Sequence, residues 1–316
     1  MEEQAPPRMS PSRTSAVRSG CFSSSQHFIK SSMSKTLFPN LARACLFALA
    51  LCAVSPAAFA QEPGGSAPAP NAAPGSGQHP APKADEKAAE VVRRAVEVMG
   101  GAAYLDARTV VSRGYFTPYR DGVATLPIKF EDYLVFPDRE RTEFSGSSVR
   151  SIQTNTGETG WVADLKMKKI LDITPEQAAD FRTSLRVSLD NILRGWWRAE
   201  GASLSYVGRR EAGLGRRNEA VRLSYPDGFT VEFEFGARDA VPSKALYTKQ
   251  NQEGELVEEE DRYAQFQSVG AVRAPFIIDH FRAGVQSSRV NFEAVEFNRP
   301  VPDTLFNRPA DVKALK

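Results

Sequence analysis

The side chains that most often carry enzyme chemistry are scarce in this 316-residue sequence. Its cysteines and histidines are Cys21, Cys45, Cys52, His27, His79 and His280. Of these, only His280 lies in the part of the chain that we expect to fold. A zinc cluster, a cysteine nucleophile, an iron–sulfur centre and a disulfide framework all need more of these side chains. The sequence therefore excludes those four kinds of site from the folded part.

The remaining charged motifs do not predict a catalytic site. Asp279 and His280 resemble an acid–base pair, but neighbours on an alternating strand point to opposite faces. The four carboxylates 258–261 cannot converge on calcium for the same reason, and we expect them at a solvated edge. No G-x-S-x-G nucleophile elbow is present. We therefore predict a protein that is not an enzyme, with no catalytic residue, metal or cofactor.

A second charged motif consists of two arginine pairs on either side of residues 211–215. It predicts a charged hairpin tip, of the kind that protects edge strands from pairing, with an anion site as the alternative. The formal net charge of the whole chain is only +2, which does not favour nucleic acid as a partner.

The N-terminal segments predict export. Residues 33–60 have the layout of a secretory signal peptide, with a basic start, an apolar run over 44–54 and an Ala58-Phe59-Ala60 cleavage site. Residues 1–32 are interpreted as an upstream extension without function. Residues 61–83 are rich in Pro, Ala, Gly and Ser and predict a disordered linker. We expect a periplasmic protein, with an uncleaved signal that anchors the chain in the membrane as the alternative.

Residues 84–309 predict one domain made mostly of strands, and residues 310–316 predict a tail. A first helix should begin after Asp85 and stop at Gly100, and a second should cover 175–193 with Thr174 as its cap. The predicted strands are 109–117, 126–136, 140–144, 149–154, 161–162, 168–173, 203–209, 219–225, 229–235, 244–250, 257–267, 272–281 and 288–297.

Strands joined by short turns form a meander, and a sheet of this many strands must curl because each strand is twisted. We therefore predict a mainly β fold with some α, in which a strongly curved, unclosed antiparallel barrel is plugged by the helix 175–193. Its concave face could hold an apolar ligand, or it could be filled by side chains. The residues predicted to line the cavity and its lid are Tyr133, Phe136, Trp161, Phe181, Leu185, Leu189, Ile192, Trp196, Phe233, Phe235, Tyr247 and Phe292.

Several blocks of residues, in their order along the chain, resemble the LolA-like superfamily of periplasmic lipoprotein carriers and outer-membrane lipoprotein-sorting proteins. The blocks are YLVFPDR at 133–139 with Arg141 and Glu143, TGETGW at 156–161, GAVRAPFII at 270–278, VNFEAVEFN at 290–298 and PDTLFNRP at 302–309. The resemblance covers roughly residues 84–309.

The resemblance implies an unclosed antiparallel β-barrel with a helical lid, and a cavity that takes acyl chains without covalent chemistry. It implies lipid or lipoprotein acyl chains as partners of a monomer, with transient membrane contact and an envelope protein as further partners. In carriers of the best-known type, an arginine just before the strand-end proline latches the lid. Phe136 occupies that position here, so we do not infer a latched lid from the resemblance. The alternatives are an interaction or sensor domain with a filled cavity and, third, a hydrolase.

Overall fold

The computed structural model describes residues 83–251 and 254–315. The predicted extension, signal peptide and all of the linker except Lys83 lie outside the described residues. Among the residues that are described, no helix is long and apolar enough to cross a membrane.

The described chain contains four α-helices and fourteen β-strands. The helices are α1 (Glu86–Met99), α2 (Ala102–Leu105), α3 (Pro175–Val187) and α4 (Leu189–Arg194). The strands are β1 (Thr109–Arg120), β2 (Val123–Ala124), β3 (Ile128–Val135), β4 (Arg139–Ser145), β5 (Arg150–Thr156), β6 (Thr159–Asp164), β7 (Lys169–Asp172), β8 (Ser203–Glu211), β9 (Arg217–Ser224), β10 (Thr230–Gly236), β11 (Pro242–Gln250), β12 (Leu256–Val269), β13 (Val272–Arg282) and β14 (Val285–Phe297).

All fourteen strands belong to one antiparallel sheet. Its order is β7-β6-β5-β4-β3-β1-β14-β13-β12-β11-β10-β9-β8, with β2 paired to β1 alone. Two meanders therefore meet where the first long strand, β1, pairs with the last, β14. The edge strands β7 and β8 do not pair with each other within the described residues, so the sheet stays open. The predicted curved, unclosed antiparallel sheet is confirmed.

Helix α1 begins and ends at the residues that the sequence predicts. The Asp85 carboxylate accepts from the backbone N–H of Lys87 at 2.8 Å, which satisfies one of the free donors of the first turn. Gly100 ends the helix with a φ of 123°, and a Cβ there would lie 2.5 Å from the carbonyl oxygen of Ala271. Glycine is thus required both by the backbone angle and by the close approach of the strand.

The predicted helix 175–193 is wrong as one continuous element, because it breaks at Ser188. Thr174 and Gln177 form the capping box that starts α3. Ser188 has an extended backbone (φ −70°, ψ 149°), and its hydroxyl accepts from the N–H of Asn191 at 3.1 Å, which starts α4. A serine hydroxyl can accept a hydrogen bond from a backbone N–H in place of a carbonyl. A new helix therefore starts at Ser188, although the helical spacing of apolar residues continues across the break.

Helices α1 and α4, with the end of α3, pack on the β8–β11 part of the concave face. The connection from β7 to β8 carries α3 and α4, so it runs from one edge strand to the other. The core residues that meet there are Val91, Ala95 and Met99 of α1, Ile192 and Leu193 of α4, Trp197, and Leu204, Val221, Leu223, Val231, Phe233, Phe235 and Tyr247 of the strands.

The C-terminal residues cover the opposite face of the sheet over β4–β6. The indole N–H of Trp161 donates to the carbonyl of Phe306 at 2.9 Å, and the Arg141 guanidinium donates to the carbonyl of Leu305 at 2.9 Å. Leu315 packs against the apolar cluster of Ile152 and Trp161. Residues 310–315, expected to be a tail, therefore contribute to the fold.

Candidate functional site

Strand register divides the concave face of β12, β13, β14, β1, β3 and β4 into rows of side chains that cross the strands. Two rows are apolar: Tyr263, Ile278, Val290, Phe116 and Ile128 form the first, and Phe292, Phe130 and Phe144 form the second. A polar row borders them on each side. We call Asp261, His280 and Ser288 the histidine row, and Ser112, Asp132, Thr142 and Gln153 the aspartate row.

The apolar rows combine buried and partly accessible side chains. Phe116 and Phe130 are fully buried, whereas Ile278 and Phe292 are half-buried. The Phe130 and Phe292 rings meet edge to face, with centroids 5.7 Å apart. Between them Gly114 lets β1 approach β14 closely, because a Cβ there would lie 2.1 Å from the carbonyl oxygen of Asn291. The partly accessible side chains make this the part of the concave face that a ligand could reach.

The aspartate row contains a carboxyl group that is uncharged over part of the physiological pH range. Burial raises the pKa of Asp132 to about 7, although the Thr142 hydroxyl, which donates at 2.8 Å, and the N–H of Tyr133 favour the carboxylate. Glu140, one row further, is 1% exposed, and neither of its carboxyl oxygens has a hydrogen-bond partner among residues 83–251 and 254–315. Burial first, and then the charge of Asp132, raise the pKa of Glu140 well above its usual range.

The histidine row is aligned across three neighbouring strands. Asp261 lies opposite His280, and His280 lies opposite Ser288. The Nδ1 atom of His280 is 2.5 Å from Asp261 Oδ1. Neither His280 Nε2 nor Ser288 Oγ has a hydrogen-bond partner within the described residues, and Ser288 is only 1% exposed. The row thus leaves two buried polar atoms unsatisfied on an otherwise apolar face.

The structure corrects one expectation about the charged motifs and agrees with another. Asp279 accepts from Arg289 at 2.6 Å, on the face of β13 opposite to His280. The two neighbours therefore point apart, as expected for an alternating strand. However, the acidic run does not lie at a solvated edge: β12 is an interior strand, and Glu259 and Asp261 are buried. Buried carboxylates persist where they are paired, here with Arg282 at 2.9 Å and with His280.

The second charged motif lies where the sequence predicts. Strands β8 and β9 form a hairpin whose tip carries both arginine pairs, and β8 is an edge strand. Three of these arginines lie within β8 or β9. Arg209 forms an ion pair with Glu219 of β9, and Arg210 forms one with Glu232 of β10. These partners fit the protective role of edge charges.

Comparison with known proteins supports the fold through similar solved structures. No protein-family model matches the chain, and no curated protein matches it. A DUF1329 family protein from Desulfovibrio piger is similar in structure, with a TM-score of 0.53 and 13% identity over 72% of this chain and 99% of that one. At this identity the likeness is one of fold alone. The LolA-like fold expected from the sequence is confirmed at that level.

Weaker structural similarities are also found. A LolA superfamily protein, NE2245 from Nitrosomonas europaea, has a TM-score of 0.48 and 15% identity over 70% of this chain and 97% of that one. MucB in the MucA/MucB complex of Pseudomonas aeruginosa has a TM-score of 0.25 and 14% identity over 71% of this chain and 62% of that one.

The predicted cavity residues do not form one group. Phe233, Phe235, Tyr247 and Ile192 lie in the core beneath the helices, with Leu189 packed against it. Phe292 lies in the second apolar row. On the helical connection, Phe181 is buried and Leu185 is half-buried, both in α3.

Phe136 and Trp196 meet near the end of β3. Their ring centroids are 5.5 Å apart, and the guanidinium of Arg194 lies 4.2 Å from the Phe136 ring. Arg194 also donates to Asp190 and to the carbonyls of Leu105 and Ala107. A cation therefore lies beside Phe136, but it comes from α4, and its polar contacts are with Asp190 of α4 and with carbonyls at the end of α2.

Two predicted residues lie on the wrong face of the sheet to line the concavity. Tyr133 and Trp161 project from the side that the C-terminal residues cover. The reason is the period of two: Phe130, Asp132 and Leu134 face the concavity, so Tyr133 cannot. Burial first, and then a hydrogen bond to Glu131, raise the pKa of Tyr133 to about 12.

The polar residues of the concave face were not predicted from the sequence. One signal was available for Asp132, because it alternates with Ile128 and Phe130 on a strand whose other positions are more exposed. His280 and Asp261 gave no such signal, since they are 19 positions apart and meet only through strand register. The part of the chain that the structure describes contains no group of three or more side chains suited to a metal ion.

Proposed function

We propose that this protein is an exported, non-catalytic carrier or binder of lipid or lipoprotein acyl chains, which takes part in lipid or lipoprotein trafficking in the cell envelope. The chains would lie on the two apolar rows of the concave face. The observation that carries the proposal is the half-buried state of Ile278 and Phe292 in an otherwise buried apolar surface. Each methylene that such a surface takes from water contributes about 0.8 kcal/mol.

Helix α3 is the element best suited to act as a lid. Its buried apolar residues are Ala178, Phe181 and Val187. Its ion pairs outside the helical connection run from Asp180 to Lys249 of β11 and from Arg186 to Asp227 between β9 and β10. Exposed pairs of this kind each contribute only about 0–1 kcal/mol. The extended backbone at Ser188 separates α3 from α4, so in this proposal α3 shifts about this junction while Val187, at its end, stays in the core. Leu185, one turn before Ser188, would then face a chain that enters.

Native mass spectrometry of the exported protein, purified without detergent, tests the proposal. We expect excess mass that disappears on organic extraction and is identified as lipid. The variant Leu185→Glu should lose that mass, because it puts a charge on the apolar face of the lid. The matched control Ala179→Glu adds the same charge at an exposed position of α3 and should keep it. A wild-type protein that is always free of lipid would contradict the proposal.

A second candidate is an envelope protein-interaction or sensor domain with a filled cavity. One observation favours it: the concave face over β8–β11 is already filled by α1 and α4. Cross-linking in cells would then recover a protein partner, while the mass spectrum shows no lipid. The near alignment of Asp261, His280 and Ser288 is a feature that a hydrolase could use, but within the described residues its serine and histidine are not hydrogen-bonded to each other.

The proposal includes export to the periplasm and cleavage after Ala60. The mass of the intact protein reports this directly, since a cleaved chain starts at Gln61. A chain that keeps residues 33–60 would instead support anchoring by an uncleaved signal, with residues 61–83 as the tether.

A further inference from the structure

The histidine row holds two unsatisfied polar atoms next to the first apolar row. His280 Nε2 and Ser288 Oγ are both buried without a hydrogen-bond partner within the described residues. A buried polar atom without a partner costs roughly 1–3 kcal/mol. Two such atoms in direct cross-strand register are a cost that a bound polar group would relieve. Their position makes them suited to the polar end of a molecule whose apolar body lies on Ile278 and Val290.

Asp261 fixes which hydrogen-bonding roles are open. A carboxylate has no proton to give, so the contact at 2.5 Å requires His280 Nδ1 to donate. The neutral ring then presents Nε2 as an acceptor, because only one of its nitrogens carries a proton. Ser288 presents a hydroxyl, which both donates and accepts. The histidine row therefore offers an acceptor, His280 Nε2, beside a hydroxyl of Ser288 that can donate or accept.

The charges around the row select against an anion. The Asp261 carboxylate lies in the row, and Glu259 follows it on the same face of β12. Arg282, which lies on the same face of these strands, is paired with Glu259 at 2.9 Å. A carboxylate or phosphate placed beside Ser288 would meet like charges in a medium that screens them poorly.

We propose that the histidine row recognises the hydroxyl group of an amphiphilic ligand, such as a long-chain alcohol or a glyceryl lipid. The hydroxyl donates to His280 Nε2 and accepts from Ser288 Oγ–H, while the apolar body lies on the first and second apolar rows. This inference rests on the proposed function, since it assigns the head-group chemistry of the same concave face.

Calorimetric titration with three ligands of equal chain length tests the inference: 1-decanol, decanoate and decylammonium. We expect the wild-type protein to prefer 1-decanol. Ser288→Ala should weaken binding of 1-decanol about tenfold, the effect of one lost hydrogen bond, and leave decanoate unchanged. Ser288→Cys, which keeps the shape with a weaker donor, should fall between the two. The matched control is Ser287→Ala, whose hydroxyl donates to the carbonyl of His280 and not into the row.

The outcomes separate the two proposals. If the wild-type protein binds none of the three ligands, the proposed function fails. If it binds all three and Ser288→Ala changes none of them, the acyl-binding function stands and the hydroxyl subsite is wrong. Equal sensitivity of 1-decanol and decylammonium to Ser288→Ala would also overturn the hydroxyl assignment. Removal of an unpaired buried hydroxyl should not unfold the protein, so the melting temperature of Ser288→Ala should equal or exceed that of the wild type.

Discussion

The two parts of the concave face differ in what covers them. Over β8–β11 the sheet is covered by the protein's own helices, and Phe233, Phe235 and Leu223 are fully buried beneath α1 and α4. Over β13, β14, β1 and β3 the apolar rows keep half-buried side chains and are bordered by buried polar residues. The first part is a large hydrophobic core, whereas the second combines apolar surface with several buried polar side chains.

This difference is the basis of the proposed binding surface. A protein interior normally pairs its buried polar groups. Within the described residues, the second part leaves Glu140, His280 and Ser288 unpaired, whereas in the first part the unpaired buried group is the indole N–H of Trp197. The covered part gives the fold its stability, and the second part has the features expected of a binding surface.

Truncation of a phenylalanine should have very different effects in the two parts. Phe233→Ala leaves a cavity beneath the helices and should lower the free energy of unfolding by about 3–5 kcal/mol. Phe292→Ala, at a half-buried position, should lower it by roughly half as much or less. Urea unfolding followed by circular dichroism measures both values. Equal losses would show that the two parts are packed equally well.

The aspartate row should give the fold a pH dependence that the helix-covered core lacks. The folded protein keeps the Asp132 proton up to about pH 7, whereas the unfolded chain releases it near pH 4. The folded state thus binds more protons between these values, so the contribution of Asp132 to the free energy of unfolding should fall as pH rises from about 4 to 7 and then level off. Glu140, whose pKa is also raised, adds a further fall in the same direction.

Asp132→Asn should remove this part of the slope and make the protein more stable at pH 7. Urea unfolding at pH 4, 5.5, 7 and 8 checks the change, with Asp106→Asn as the control at an exposed aspartate. A variant that keeps the full slope would show that Asp132 is ionised in the folded protein.

The elements of the fold could be predicted because their signals are local. The alternation of Phe229, Val231, Phe233 and Phe235 predicts a half-buried strand, and β10 is found there. Asp85 and Gly100 mark the ends of α1 by their own backbone and side-chain chemistry. The number of short strands then requires a curved sheet, which is also observed.

The site was less predictable, because its geometry depends on pairs that are distant in sequence. Tyr133 and Trp161 are predicted on the inward faces of their strands, but their aromatic character does not determine which face a strand residue takes. The contact of Asp261 with His280 requires the register of β12 against β13, which no local pattern specifies. Ser188 was hidden because apolar residues continue at helical spacing on both sides of it.

The junction at Ser188 tests whether the two parts of the helical connection are independent. Ser188 caps α4 through the N–H of Asn191, and its own hydroxyl donates to the carbonyl of Leu185 at 2.8 Å. Ser188→Ala removes both bonds and should lower the free energy of unfolding by about 1 kcal/mol. The control Ser184→Ala removes a hydroxyl inside α3 and should be neutral, since alanine is the better helix former.

The same variant separates stability from ligand binding. If α3 is a lid and α4 belongs to the core, loosening their junction should raise the rate at which lipid exchanges while the affinity changes little, because the apolar rows are untouched. Stopped-flow displacement of a fluorescent acyl probe measures the exchange rate. An exchange rate equal to that of the wild type, together with the expected loss of stability, would mean that α3 does not have to move for a chain to enter. The boundary between the covered core and the binding surface would then lie beyond α3, and not at Ser188.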